Sequence, residues 1–176
     1  MKDNKEQYKA FCETVYTPIY SKVWWLDAIC GADNWDAWIF EEKGNILATM
    51  PYYFVFRHGY KYITKPPLTQ NNGIIFNYPA NSSEVKKRKF EERIIDKACS
   101  FIASMKVDVY EQQYHYSFEN WLPFFWNYYS SNVSYTYVIE NTENIEKVWE
   151  NVTSKERGKI RKGSRNGVLV ENNDRH

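Results

Sequence analysis

Alternating apolar and polar positions predict three successive strands in the first half of the chain. They span residues 35–41, 46–56 and 60–65, and every second residue of the middle strand is apolar. The tight turn at His58-Gly59 joins the last two strands, so the three form an antiparallel meander. Pro51 lies inside the middle strand and predicts an edge strand or a bulge, because proline cannot donate a hydrogen bond to a sheet ladder.

Helical spacing dominates the second half of the chain. The strongest helix is predicted at residues 82–105, where apolar residues recur on one side and a charged face covers the other. Shorter elements are also predicted: helices at 21–30, 119–129 and 144–152, and strands at 107–112, 133–139 and 168–170. This order of elements predicts a mixed α+β fold in which helices flank a mostly antiparallel sheet.

Composition narrows the class of protein. With 176 residues and 43% hydrophobic content, the chain can build a sizeable core and is not a disordered segment. The aromatic content of 18% predicts either a core packed with rings or a groove that stacks on sugars, peptides or bases. The three cysteines and three histidines show no paired spacing, which predicts free thiols and no metal site. Residues 1–6 do not resemble a signal peptide and no apolar run could span a membrane, so we expect a cytoplasmic protein.

Charge is distributed unevenly along the chain. The net charge is +1, yet residues 155–165 carry six cations against Glu156 alone, a local net charge of +5. A basic helical segment is predicted there, although Gly158 and Gly163 each cost about 1 kcal/mol relative to alanine. The segment is either a solvated, frayed end or a surface for the phosphates of a nucleotide or tRNA. Its candidate phosphate-binding residues are Arg157, Lys159, Arg161 and Lys162.

A polar loop follows the meander, with the sequence Lys65-Pro66-Pro67-Leu68-Thr69-Gln70-Asn71-Asn72-Gly73. The two prolines end the third strand. The hydroxyl and three amides behind them either form local turns or line a ligand site. The candidate substrate-binding residues of the loop are Lys65, Thr69, Gln70, Asn71 and Asn72.

Other candidates lie outside the loop. Trp24 and Trp25 could wall a site, although neighbouring positions on a helix face different ways and packing is the simpler role for both. The one imidazole that could act as a base is His115, and otherwise no catalytic residue can be assigned. Two alternatives stay open: an RNA- or tRNA-binding module that uses residues 155–165, and a non-catalytic domain that binds a saccharide or a peptide.

Three sequence blocks together resemble a known family. They are Pro18 to Gly31, which contains Trp24-Trp25, the meander with the loop Lys65 to Gly73, and Arg157 to Gly163. In this order they resemble the amino-terminal lobe of bacterial GNAT-superfamily acyltransferases, in the branch similar to Fem-type (FemAB-like) peptidoglycan aminoacyltransferases.

The resemblance implies a GNAT-like fold and an N-acyltransferase of two lobes. The second lobe would bind the donor, acyl-CoA or aminoacyl-tRNA, and the first would shape the site of an acceptor amine such as a peptidoglycan precursor. A base would deprotonate the amine and backbone donors would polarise the acyl carbonyl. The chain has no glycine-rich pyrophosphate loop.

The same resemblance implies a division of the chain. We expect a GNAT-like lobe at residues 1–152, followed at 153–176 by the basic helical segment and the start of a strand that leads to a missing second lobe. A truncated chain of this kind would bind no donor and would be inactive alone.

Overall fold

The computed structural model describes residues 3–139 and 141–167 of a chain with two compact units, Met1–Ser134 and Tyr135–His176. The first unit contains the sheet and the helices packed on it. The predicted domain boundary after residue 152 stays a prediction, and the predicted strand at 168–170 lies outside the described residues.

A mixed, mostly antiparallel sheet forms the centre of the first unit, as predicted. Strands β1 (Trp35–Glu42), β2 (Asn45–Arg57) and β3 (Tyr60–Thr64) form the antiparallel meander. Strand β4 (Ile75–Phe76) pairs antiparallel with β2, and β5 (Val109–Tyr110) pairs parallel with β3. Among the described residues the order is therefore β1-β2-β3-β5, with β4 also beside β2.

Helices cover both faces of this sheet. On one face, α1 (Asn4–Thr14) and α2 (Val23–Cys30) bury Tyr8, Phe11 and Leu26 against Trp35 and Ala37 of β1. On the other, α3 (Glu84–Ser104) and the short α4 (Leu122–Trp126) bury a second cluster. Its members include Trp38, Ala48, Met50, Tyr52, Ile63, Ile94, Ile95, Ala98 and Phe124. The period-two alternation of β1 and β2 sends their side chains into these two clusters in turn.

The predicted helix at residues 21–30 begins two residues later than expected. Ser21 lies in a 3₁₀ turn, Ile19–Ser21, and its carbonyl accepts a hydrogen bond from the Tyr8 hydroxyl at 2.5 Å. Ser21 therefore ties α1 to the start of α2 and does not cap a helix. At the other end, the C-cap residue Gly31 takes φ +77° and ψ 145°. The positive φ favours glycine, but the conformation is not the left-handed helical one that a glycine directly after a helix predicts.

Pro51 is tolerated for a different reason from the one predicted. It lies in β2, which is central, since β1 pairs along one side and β3 and β4 share the other. On that second side β4 pairs with β2 up to Thr49 and β3 pairs from Tyr53 onward. Pro51 lies in the gap between them, so its missing N–H removes no bond from a ladder.

The predicted strand at residues 133–139 is wrong. Residues 132–139 have no regular structure, and the side chains of Tyr135 and Tyr137 are almost fully exposed. A strand needs a neighbour to satisfy its backbone groups, and none of the strands in the described ranges pairs with this segment. Alternation alone therefore misidentified an extended, exposed segment.

Among the described residues of the second unit are α5 (Ile145–Asn151) and α6 (Ser154–Asn166). Helix α6 is capped by Thr153, whose Oγ1 accepts a hydrogen bond from Glu156 N at 3.3 Å. The Arg157 guanidinium donates to the carbonyls of Trp149 and Glu150 at 3.3 and 3.1 Å, which satisfies the end of α5. These bonds stabilise a helix that its glycines and like charges disfavour.

No helix in the described ranges is long and apolar enough to cross a membrane. In the same ranges, no three His, Cys, Asp or Glu side chains gather in a way that could hold a metal ion.

The three thiols should differ in reactivity. Burial raises the pKa of Cys30 to about 11 and that of Cys99 to about 12. Cys12 is only half-buried, so we expect it to be the thiol that a disulfide reagent modifies in the folded protein near neutral pH. Mass spectrometry after brief labelling measures the extent of modification of each cysteine, and a urea-denatured sample serves as the control. Equal labelling of Cys99 in the folded protein would contradict it.

Candidate functional site

The polar loop Lys65–Gly73 is tied to α2 by a hydrogen bond. The Trp25 indole Nε1–H donates to Thr69 Oγ1 at 3.0 Å, and the Thr69 hydroxyl donates to the carbonyl of Pro67 at 3.0 Å. Thr69 is buried, whereas the preceding Leu68 is 83% exposed with φ +54°. The predicted candidates Trp25 and Thr69 therefore meet in the structure, although they are 44 residues apart in sequence.

A second anchor comes from the chain that follows β5. The backbone N–H of Asn72 donates to the carbonyl of Gln113 at 2.7 Å. The Lys65 ammonium donates to the side-chain Oε1 of the same glutamine at 3.0 Å. Gln113 therefore holds both ends of the loop, which fixes the backbone of the amide-bearing residues between them.

The neighbouring Gln112 contacts β2 at Pro51, in the gap between the paired segments of β3 and β4. Its side-chain Nε2 donates to the carbonyl of Pro51 at 3.1 Å, in place of a strand partner. The Tyr110 hydroxyl donates to Gln112 Oε1 and also lies within hydrogen-bonding distance of the Tyr114 hydroxyl, both at 2.7 Å. Burial raises the pKa of Tyr110 and of Tyr114, so both phenols stay protonated and this network persists at alkaline pH.

Gly73 is the last residue of the loop and lies directly against the ring of Tyr114. A Cβ at this position would lie 2.5 Å from Cδ1 of Tyr114. The φ of Gly73 is also +155°, which side-chain-bearing residues rarely adopt. Glycine is therefore required for the loop to pass this close to the Tyr114 ring.

The loop contains buried polar atoms without a hydrogen-bond partner in the part of the chain that the structure describes. They are both amide heteroatoms of Asn72 and Oδ1 of Asn71. Asn72 is 2% exposed, and Asn71 is half-buried. Leaving such a group unsatisfied costs about 1–3 kcal/mol, so a bound polar group that reached these amides would recover that energy.

Thr49 of β2 has a buried Oγ1 that also lacks a partner among the described residues. The buried polar side chains of the described chain are all uncharged: Thr17, Ser21, Thr49, Thr69 and Asn72. The unpartnered amides of Asn71 and Asn72 suit a neutral hydrogen-bonding group, because a buried ion requires a partner of opposite charge.

Aromatic rings stand beside the loop. Trp25 makes edge-on contacts with Tyr20 and with Trp24, at ring-centroid distances of 5.1 and 5.8 Å. Trp24 is 58% exposed, whereas Trp25, which bonds the loop through Thr69, is half-buried. Within the loop, Gln70 is exposed like Lys65.

His115 follows the anchoring segment and is half-buried. Its Nδ1 accepts a hydrogen bond from Ser117 N at 3.3 Å and lies 2.8 Å from Ser117 Oγ. Desolvation lowers the pKa of His115, so the ring is neutral near pH 7. With Nδ1 accepting, the proton lies on Nε2, and the ring presents a donor to its surroundings.

The four predicted phosphate-binding cations lie on α6, in the second unit. Arg157 caps α5, Lys159 pairs with Glu156 at 2.7 Å, and the Arg161 guanidinium lies 5.8 Å from the ring centroid of Trp149. Lys162 is exposed. These side chains do not form an enclosed phosphate site of the kind that a bound coenzyme requires.

Sequence reasoning did not identify Gln112 and Gln113 as part of the site. The sequence feature that could have identified them is a pair of side-chain amides shortly after strand β5. The parallel pairing of β5 with β3, which brings this pair to the loop, leaves no local mark in the sequence.

Comparisons with known proteins give weak likenesses. No protein-family model and no curated protein matches the chain. A similar solved structure is the ribosomal-protein-alanine N-acetyltransferase from Brucella melitensis biovar Abortus 2308, with a TM-score of 0.41 and 10% identity over 78% of this chain and 94% of that one. Another is a tetramutant of the BH1408 protein from Bacillus halodurans, with a TM-score of 0.34 and 13% identity over 78% of this chain and 86% of that one. Likenesses at these scores have no bearing on function, and the mixed α+β fold rests on the strand order and registers described above.

Proposed function

We propose that this chain is the acceptor-binding lobe of a cytoplasmic N-acyltransferase of the GNAT superfamily, in the branch similar to Fem-type peptidoglycan aminoacyltransferases. The observation that carries the proposal is the hydrogen bond between Trp25 and Thr69. It joins two of the three sequence blocks that resemble the family, and it fixes the loop that bears Asn71 and Asn72. Those buried amides supply the unused hydrogen-bonding capacity that a substrate site needs.

The acceptor in this proposal is a peptide that carries a primary amine, such as a peptidoglycan precursor. Its uncharged amide groups bind Asn71 and Asn72, because a charged group would find no counter-ion among the buried side chains. The reacting amine stays nearer the exposed part of the loop, where Gln70 lies. The exposed ring of Trp24 covers the apolar part of the peptide.

The donor, acyl-CoA or aminoacyl-tRNA, requires a second lobe or a partner chain in this proposal. The cations of α6 do not form an enclosed phosphate site, and the sequence has no glycine-rich pyrophosphate loop. In this proposal the lobe therefore binds the acceptor, and the donor binds elsewhere.

Titration of the isotope-labelled 176-residue protein with a lysine-containing peptidoglycan stem peptide tests the acceptor site. We expect the side-chain amide resonances of Asn71 and Asn72 and the indole N–H of Trp25 to shift in a saturable way. The Thr69→Val variant removes the acceptor of that indole bond and should weaken binding. Thr17→Val alters a buried threonine whose hydroxyl donates to the carbonyl of Val15, and it should not weaken binding.

Two results would overturn the proposal. One is an absence of shifts in the loop at millimolar peptide. The other is acyl transfer to the peptide from acetyl-CoA by the 176-residue protein alone, since the proposal places the donor site outside this lobe.

A further inference from the structure

Helix α6 carries a continuous cationic stripe. At about 3.6 residues per turn, Lys155, Gly158, Lys162 and Arg165 follow one another on one side of the helix, with Lys159 beside them. All five residues are exposed. The negative charge of α6, Glu156, lies off this stripe and is paired with Lys159 at 2.7 Å.

The glycine within the stripe has no structural reason to be glycine. In the part of the chain that the structure describes, nothing lies within 4 Å of a Cβ placed at Gly158, and no positive φ requires the residue. Alanine at this position would stabilise the helix without a clash. A glycine flanked by cations on an exposed helix instead allows a ligand to approach the backbone closely between the charges.

The partner that fits this stripe is a stiff chain of phosphates. An anionic membrane fits poorly, because an interfacial helix needs an apolar face and Ile160 is the large aliphatic residue on α6. Nucleic acids bind through rows of Lys and Arg that contact successive phosphates, and the absence of a side chain lets the backbone come near. We propose that the α6 stripe binds the phosphate backbone of a nucleic acid.

This surface is independent of the acceptor site proposed above. The stripe lies in the second unit, and none of its residues belongs to the loop Lys65–Gly73. Loss of peptide binding at the loop would therefore leave this inference intact, and the reverse also holds.

Fluorescence anisotropy of the whole protein with a labelled single-stranded RNA of about 20 nucleotides tests the inference. The stripe cations other than Lys159, which pairs with Glu156, are Lys155, Lys162 and Arg165. Three phosphate contacts predict a log–log salt slope of about −2, so affinity should fall about twentyfold between roughly 50 and 200 mM salt. A DNA strand of the same sequence should bind similarly, because the contacts are to phosphates.

Charge reversal isolates the stripe. The double variant Lys155→Glu, Lys162→Glu should lower the affinity by on the order of tenfold or more and flatten the salt slope. The matched control is Lys86→Glu, Lys89→Glu on the exposed face of α3, which changes the net charge equally and should have little effect.

The two glycines of α6 give a sharper comparison. Gly163 lies on the Glu156 side of the helix, and a Cβ there also meets no described atom within 4 Å. Gly158→Ala and Gly163→Ala should both raise the melting temperature, whereas Gly158→Ala alone should weaken RNA binding by at least about threefold.

Several outcomes would overturn the inference. They are no RNA binding at low salt, equal losses for the α3 and α6 charge variants, equal behaviour of the two glycine variants, and affinity for polyglutamate or anionic vesicles equal to that for RNA.

Discussion

Replacing Asn72 with leucine is expected to leave the protein as stable as the wild type, or more stable by about 1 kcal/mol, while it weakens binding of the stem peptide at least about tenfold. The reason is that the Asn72 amide is buried and has no partner among the described residues. Leucine has the same branching as asparagine and removes two unsatisfied polar atoms. The backbone N–H that bonds Gln113 remains.

The contrast between stability and binding makes this result informative. Urea unfolding followed by tryptophan fluorescence gives the first quantity, and the peptide titration gives the second. Asn127→Leu is the matched control, because the Asn127 amide donates to Asp96 and to the carbonyl of Pro123, both at 2.8 Å. That variant should lose about 1–2 kcal/mol of stability and keep full binding. A loss of more than about 2 kcal/mol in Asn72→Leu would mean that the amide serves the fold, and would remove it from the site.

Replacing Gly73 with alanine is expected to destabilise the protein by about 2–4 kcal/mol. The new Cβ would lie 2.5 Å from Cδ1 of Tyr114, a half-buried ring that cannot move without disturbing its bond to Tyr110. The backbone conformation at φ +155° adds strain. Urea unfolding measures the change, and Gly163→Ala on α6, where a Cβ has open space, is the control that should not destabilise.

A double-mutant cycle shows whether the Tyr114 ring causes the loss. Tyr114→Leu should cost stability by itself, but Gly73→Ala should cost much less in its presence than in the wild type. Strictly additive effects would contradict a steric origin and leave backbone strain as the cause.

Much of the fold could be predicted from local patterns. The meander and α3 have strong periodicity, and the structure confirms both. Helix α1 could not be predicted from an apolar period. Of its 11 residues, Tyr8 and Phe11 are buried, and the rest are largely polar. The interpretation of Pro51 failed because the gap between β3 and β4 depends on how distant strands end.

The sequence indicates the polar loop of the candidate site but not the residues that anchor the loop. The loop Lys65–Gly73 is distinctive in composition, and prolines and amides mark it directly in the sequence. Its partners Trp25 and Gln113 come from elements 44 and 48 residues away, and only tertiary pairing brings them together. Local sequence therefore indicates which groups are available, whereas the strand order decides which of them meet.

The parallel pairing of β3 with β5 also has a consequence for the order of folding. The β1–β2 and β2–β3 hairpins join neighbouring segments and close short loops, so they can form early. The bonds that complete the polar loop span much more of the chain, with sequence separations of 48 between Lys65 and Gln113 and of 61 between Pro51 and Gln112. We therefore expect the polar loop Lys65–Gly73 to assemble last, and the free energy of opening it locally to be lower than that of opening the meander.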